Sequence, residues 1–326
     1  MSELRVDPLT GLRTIIAAGR ATRPGGEAPV AAAAAINPAD DPFAEGNEDR
    51  TPPELFALRP DGGEPNGPGW TVRVVPNLYP ALDRISPPPP DEADTDLFDS
   101  SAATGAHEVI VNAPASVTSL ADLDAREVAT AVDVWRERMR AHKDAACLHL
   151  IVNERVEGGA SLPHTHAQLY VLDFVPAVIA RERERFGAYA SRKLGQDLLA
   201  DLLAAEVRRG ERTVAIDEEA VLIAPWASRM PYQLLLAPRR PRGRFEDDGA
   251  TGAALLHDAL QRLMRLFGAT PPLNLWVRTA PRGADHFCWR IDIVPRLTHL
   301  AGLELGAGLH LNVIAPERAA QELRGA

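Results

Sequence analysis

The feature that most constrains the fold is an order of elements that occurs twice. Residues 70–169 read strand, Asn-Pro-type turn (VPNLYPAL), strand, helix, strand (CLHLIVN), strand (HTHAQLY). Residues 219–295 read strand (AVLIAPWA), turn (SRMPY), strand (QLLLAP), helix near 250–267, strand (LNLWVRT), strand (FCWRIDIV). One α+β unit, duplicated, accounts for both, with a boundary near 177–210. The 28 prolines and 24 glycines are scattered along all 326 residues, so a coiled coil is excluded.

Within the first unit the strand candidates are 71–75, 107–112, 147–153 and 167–173, each short and rich in Val, Ile or Leu. A helix is expected over 125–142. Asp124 and Glu127 have capping-box spacing, and Val128, Val132, Trp135 and Met139 recur at helical spacing as a core face. A longer helical stretch is expected from 177 to 208, its RERER run forming a solvated face. Residues 24–38, 59–69 and 87–98 read as loops, being rich in Pro, Gly, small residues or acids.

Charge narrows the partners. Forty-five acids against 35 bases give −10, which repels a polyanion overall, so no nucleic-acid partner is expected. A small phosphorylated ligand held by a few arginines is not excluded. No apolar run is long enough to span a bilayer, and MSELRVDPLT has no apolar signal region. Cys147 and Cys288 are too few for a disulfide scaffold or a four-thiolate zinc site. The expected compartment is the cytoplasm, with no membrane partner.

The densest polar cluster is NERVEGGASLPHTHAQ, Asn153–Gln168. Gly158 and Gly159 allow close backbone approach to a ligand. Ser161 can donate a hydrogen bond, and Pro163 stiffens the turn before His164. His164, His166 and Gln168 alternate at period two, which places them on one face of a strand. Neutral imidazole is a nucleophile near pH 7 and can attack a phosphoryl group, splitting one displacement into two. A neighbouring Gln can hydrogen-bond a non-bridging oxygen, and the amides of the Gly-Gly-Ala-Ser turn can hold a second phosphate.

His164-Thr-His166-Ala-Gln168 resembles the His-x-His-x-Gln motif of the transferase branch of the histidine-triad superfamily, and the wider chain resembles the galactose-1-phosphate uridylyltransferase family. The similar segments run in order from end to end: Leu4–Pro24, Asn47–Glu54, Val72–Leu82, Gly105–Val111, Pro295–Leu297, Ala301–Asn312 and Pro316–Arg324. The resemblance implies two histidine-triad-like halves, each an antiparallel sheet with packed helices. The active half would be 1–177 and the degenerate half 178–326. It implies a covalent uridylyl-His166 intermediate, ping-pong exchange between UDP-glucose and a hexose 1-phosphate in galactose metabolism, and a homodimer. Gln168 would hold the transferred phosphate. Ser161, Asn153 and Gly159 would touch phosphate or order the site. Asn77 would meet the nucleotide, and Arg20 and Arg23 the diphosphate. Alternatives are a nucleotide-sugar phosphorylase of ADP-glucose type, a dinucleoside-polyphosphate phosphorylase, and a binding protein that has lost catalysis.

The chain departs from the family pattern at its metal positions. Where the family has Cys-Pro-Phe-Cys, this chain has Asp41-Pro42-Phe43-Ala44. A further family His falls at Ser116, so only His164 of that set remains. The second family cluster needs two histidines in a late strand, which here reads Phe287-Cys288-Trp289-Arg290, with Glu182 and His286 as the surviving candidates. No metal or other cofactor is expected. Asp41, His107 and Cys147 would be the unrecognised ligands if one is bound.

Overall fold

The computed structural model describes residues 2–20, 30–83, 97–98 and 100–326. Arg23, residues 24–29 of the first expected loop and residues 87–96 of the third lie outside them. Residues 59–69 form turns, as expected.

Thirteen strands and six α-helices are described. In chain order they are β1 (Glu3–Val6), β2 (Arg13–Ile16), β3 (Phe56–Leu58), β4 (Val72–Pro76), β5 (Gly105–Val111), α1 (Ala125–Ala141), β6 (Cys147–Glu154), β7 (His166–Leu172), α2 (Ala177–Arg192), α3 (Leu198–Arg209), β8 (Thr213–Ile216), β9 (Ala220–Ile223), β10 (Leu234–Pro238), α4 (Ala253–Phe267), β11 (Leu273–Arg278), β12 (Arg290–Pro295), α5 (Gly302–Ala307), β13 (Leu309–Asn312) and α6 (Pro316–Gly325). Ten of the strands form one antiparallel sheet in the order β3-β4-β5-β7-β6-β11-β12-β10-β9-β8. Read inward from either edge, the two halves have the same order, and they meet at the β6–β11 pairing. The duplication is therefore built as one continuous α+β sheet. Strands β1, β2 and β13 make a separate small sheet.

Alternation along the strands sorts side chains to two faces. Leu148, Leu150, Val152, Ala167 and Leu169 of the first half share a core with Leu273, Leu275, Val277, Ile291 and Ile293 of the second. Helices α1 and α4 cover that face. Helix α1 starts where its capping box expects: Asp124 accepts from the Arg126 and Glu127 N–H groups, and Glu127 accepts from the Asp124 N–H. Val128, Val132, Trp135 and Met139 are fully buried. On the opposite face, α2 and α3 cover the second half through Phe186, Leu199 and Leu203. On that face of the first half, His166 and Gln168 line an open cleft.

Two expectations need correction. The 177–208 stretch is two helices, broken where Leu194 (φ 53°) and Gly195 (φ 89°) take left-handed backbone conformations. The RERER run is not wholly solvated: Glu182 is buried against Arg290 and Arg278.

Candidate active site

The site begins at the connection between β6 and β7. After Glu154 the chain makes a 3₁₀ turn, Val156–Gly158, and Gly159 caps it at φ 87°. A Cβ on Gly158 would stand 2.7 Å from the Leu273 carbonyl oxygen. The close approach that glycine permits here is to strand β11. His164 lies in the turn before β7, so the period-two alternation holds for His166 and Gln168 only.

His166 is 5% exposed and lines an open cleft together with Phe43, Asn77, Tyr79, Ser161 and Gln168. Its Nδ1 lies 2.7 Å from the His164 main-chain carbonyl. A carbonyl only accepts, so Nδ1 carries the proton and Nε2 keeps its lone pair. Burial pushes the imidazole below its ordinary pKa, and the bond to His164 opposes this only in part. The ring is therefore neutral at pH 7. The edge-on ring of Phe43, 5.3 Å away, walls one side.

Gln168 enters the same cleft. Its Oε1 lies 3.0 Å from His107 Nε2 and accepts from the Tyr170 hydroxyl at 3.3 Å. His107 Nδ1 accepts from the Ala81 N–H at 3.3 Å, so the His107 proton sits on Nε2 and is donated to Gln168. With its carbonyl end held, Gln168 has its NH₂ end available to the cleft. His107 stacks on Tyr170 at 4.1 Å, its register partner across β5 and β7. Asn77, also on the cleft wall, accepts from the Tyr79 N–H at 2.9 Å, and its Nδ2 lies 3.2 Å from the His107 Nε2. From the sequence, His107 is expected only as a possible metal ligand. Its position on β5 facing Gln168 is visible only once β5 and β7 are paired.

Of the other expected residues Ser161 shares the cleft, and the rest are dispersed. Ser161 is exposed and lines the cleft with Arg50, Thr51 and Pro52. Asn153 accepts from Asn274 Nδ2 at 2.7 Å across the β6–β11 join. Gly159 is exposed at the turn, and Arg20 is exposed at the end of the 3₁₀ turn Ala18–Arg20. His164 is buried, its Nε2 2.9 Å from the Ala113 carbonyl and its Nδ1 2.7 Å from Asp41 Oδ2.

These residues do not fit the metals that the resemblance implies. Both nitrogens of His164 already face protein oxygens, and Ser116 donates to Asp41 Oδ2 at 2.7 Å. Ala44 offers no ligand atom. At the second position Glu182 meets Arg290 at 3.0 Å and Arg278 at 3.4 Å, and two guanidinium groups repel a cation. His286 is apart from them, exposed and 3.8 Å from Asp197. Among the described residues no group of three His, Cys, Asp or Glu side chains is arranged to hold a metal. Aligning Leu148-x-Leu150-x-Val152 on Leu273-x-Leu275-x-Val277 places Arg290 and Asp292 of β12 where β7 has His166 and Gln168. The second half thus has an ion-pair network, Arg290 with Asp292 at 2.9 Å and with Glu182, at the counterpart of the cleft.

Comparison with known proteins agrees with this architecture. Residues 1–176 match the model of the galactose-1-phosphate uridyl transferase N-terminal domain. An ADP-glucose phosphorylase of Arabidopsis thaliana is 27% identical over 337 residues, covering 99% of this chain and 92% of that protein. A galactose-1-phosphate uridylyltransferase of Cryptococcus neoformans is 27% identical over 350 residues, covering 98% and 89%. Among solved structures, the Arabidopsis thaliana ADP-glucose phosphorylase with bound ADP-glucose superposes with a TM-score of 0.81 at 24% identity, covering 100% of this chain and 99% of that one. A uridylyltransferase superposes with a TM-score of 0.75 at 25% identity, covering 100% and 98%. With more than half its length matched by the family model, this chain belongs to the galactose-1-phosphate uridylyltransferase family and is a nucleotidyltransferase.

Proposed function

We propose that this enzyme transfers a nucleotidyl group from a nucleoside-diphosphate hexose to a phosphate acceptor through a covalent His166 intermediate. The observation that carries the reading is the His166 tautomer: Nδ1 is committed to the His164 carbonyl, and Nε2 is left basic at the cleft. The Nε2 lone pair attacks the α-phosphorus, a P–N bond forms, and the bond to the bridging oxygen breaks. The hexose 1-phosphate leaves with that electron pair. An acceptor phosphate oxygen then attacks the same phosphorus, and the P–N electrons return to Nε2. The Gln168 NH₂ group donates to a non-bridging oxygen as charge grows there. Because an amide does not titrate, Gln168 does not activate water, and transfer outruns hydrolysis. Asn77 and Ser161 contact the nucleotide and its phosphates from the cleft wall.

UDP-glucose with galactose 1-phosphate is the first substrate pair to test. The second is ADP-glucose with phosphate, favoured by the end-to-end similarity to an ADP-glucose phosphorylase. The purified protein is mixed with each donor alone, and its peptides are weighed by mass spectrometry. An acid-labile nucleotidyl adduct on the His166 peptide is expected with one donor, and its mass identifies the base. His166→Ala should lower turnover by a thousandfold or more while donor binding persists. No adduct with any nucleotide sugar, together with wild-type turnover by the variant, would overturn the mechanism.

A further inference from the structure

We propose that Asp41 and Ser116, which stand where the resemblance places metal ligands, lock the His164 ring by hydrogen bonding and, through the His164 carbonyl, aim His166. The proposal rests on His166 being the nucleophile. Residues 41, 116 and 164 are distant in sequence, and each stands at a position where the family pattern has a metal ligand. The fold brings all three into direct contact. Asp41 Oδ2 receives the Ser116 hydroxyl at 2.7 Å and lies 2.7 Å from His164 Nδ1. Asp41 Oδ1 accepts from the Phe43 N–H at 3.0 Å. The opposite edge of the His164 ring is held by the Ala113 carbonyl at 2.9 Å. The side chains of His164 and Asp41 are 0% and 1% exposed, so water does not compete for these bonds.

The consequence reaches His166 by two routes. The first runs through His164 itself. With both edges of its ring anchored, the residue cannot rotate, and its carbonyl stays on His166 Nδ1 at 2.7 Å. The second runs through the Asp41 loop, since Phe43 packs edge-on against both imidazoles, at 6.1 Å from His164 and 5.3 Å from His166. Loss of the Asp41 carboxylate would leave a buried His164 nitrogen unpaired and free the ring to turn. Asp41 and Ser116 are thus positioning residues.

The test combines two readouts. In the substrate-free protein, ¹⁵N spectra of the histidine rings should show His166 as the Nδ1–H tautomer. Asp41→Ala should mix its tautomers and lower kcat tenfold to a hundredfold, with the donor KM within about twofold. Asp41→Asn, which keeps an acceptor oxygen, should recover part of kcat. If Asp41→Ala does not fold, Ser116→Ala serves, with a severalfold loss of kcat expected. Wild-type protein dialysed against a chelator should keep its melting temperature and its kcat. One tightly held metal per chain whose removal lowers both would overturn the proposal. So would Asp41→Ala or Ser116→Ala with the wild-type His166 spectrum and kcat. If wild type forms no adduct but the Asp41 variant still changes the His166 spectrum, the transfer reading fails and the positioning network stands.

Discussion

At His166 a 2.7 Å bond from Nδ1 to a main-chain carbonyl decides which ring atom is basic, and at Gln168 a bond from His107 decides which end of the amide meets the ligand. Both are choices between two states of a symmetric-looking group, the first made by the main chain of the motif's own His164 and the second by a side chain outside the motif. His107→Leu should therefore lower kcat about tenfold to a hundredfold, the scale of one hydrogen bond of about 1.5–3 kcal/mol to a charged group. His107→Gln, which keeps an N–H near the same place, should restore most of it. Equal steady-state rates for the two variants would count against the assignment. Glu154, fully buried at the end of β6, gives a pH effect of its own. Burial raises its pKa to about 7 against the hydrogen bonds from Ser119 and Leu120. A carboxyl raised above its unfolded value of 4.5 contributes stability that is complete below that value and is lost as pH rises through about 7. Wild type should thus lose stability between about pH 4.5 and 7 and level off above, by a few kcal/mol at most (about 1.4 kcal/mol per pH unit) from this group. Glu154→Gln should flatten the dependence, as read from urea midpoints across that range. A slope that is unchanged in the variant would refute it.

At the scale of elements, α1 was legible because its cap and its stripe agree with each other. The strands were legible because short β-branched and leucine-rich runs are bounded by turn residues. The helical stretch after Pro176 differs from its sequence pattern in two respects. Nothing local marks Glu182 as buried, since its partners Arg278 and Arg290 lie about a hundred residues away in sequence. The break at Leu194–Gly195 lies in a sequence that otherwise continues the helix, and a lone glycine did not decide it. The β6–β7 turn shows the same limit. Its glycines were legible as a site of close approach, but the partner at Gly158 is the Leu273 carbonyl. Gly158→Ala should cost about 1–3 kcal/mol, the scale of an overpacked contact with backbone, and loosen the β6–β11 join. Thermal melts of this variant beside Gly159→Ala separate the effects, because a Cβ at Gly159 meets open space and only its φ of 87° is strained. A Gly158→Ala melt at the wild-type temperature would remove the packing argument.

Across the whole molecule the two halves share ten antiparallel strands and one hydrophobic core that draws residues from both. Neither half can open without exposing the β6–β11 edge and the core under α1 and α4. Calorimetry should therefore show one cooperative unfolding transition, and two separable ones would contradict it. The sequence by itself determined the α+β class, the duplication, the strands, the capped helix and the His-x-His-x-Gln cluster. These depend on periodicity and short-range chemistry, which a linear chain displays. It also displayed the missing cysteines and histidines. What replaced them was decided only by tertiary structure: Asp41 beside His164 and Ser116, Glu182 between two arginines, and His107 behind Gln168. Those partners lie tens to more than a hundred residues apart. Burial gives such contacts their strength, and burial exists only once the sheet has brought distant segments out of water.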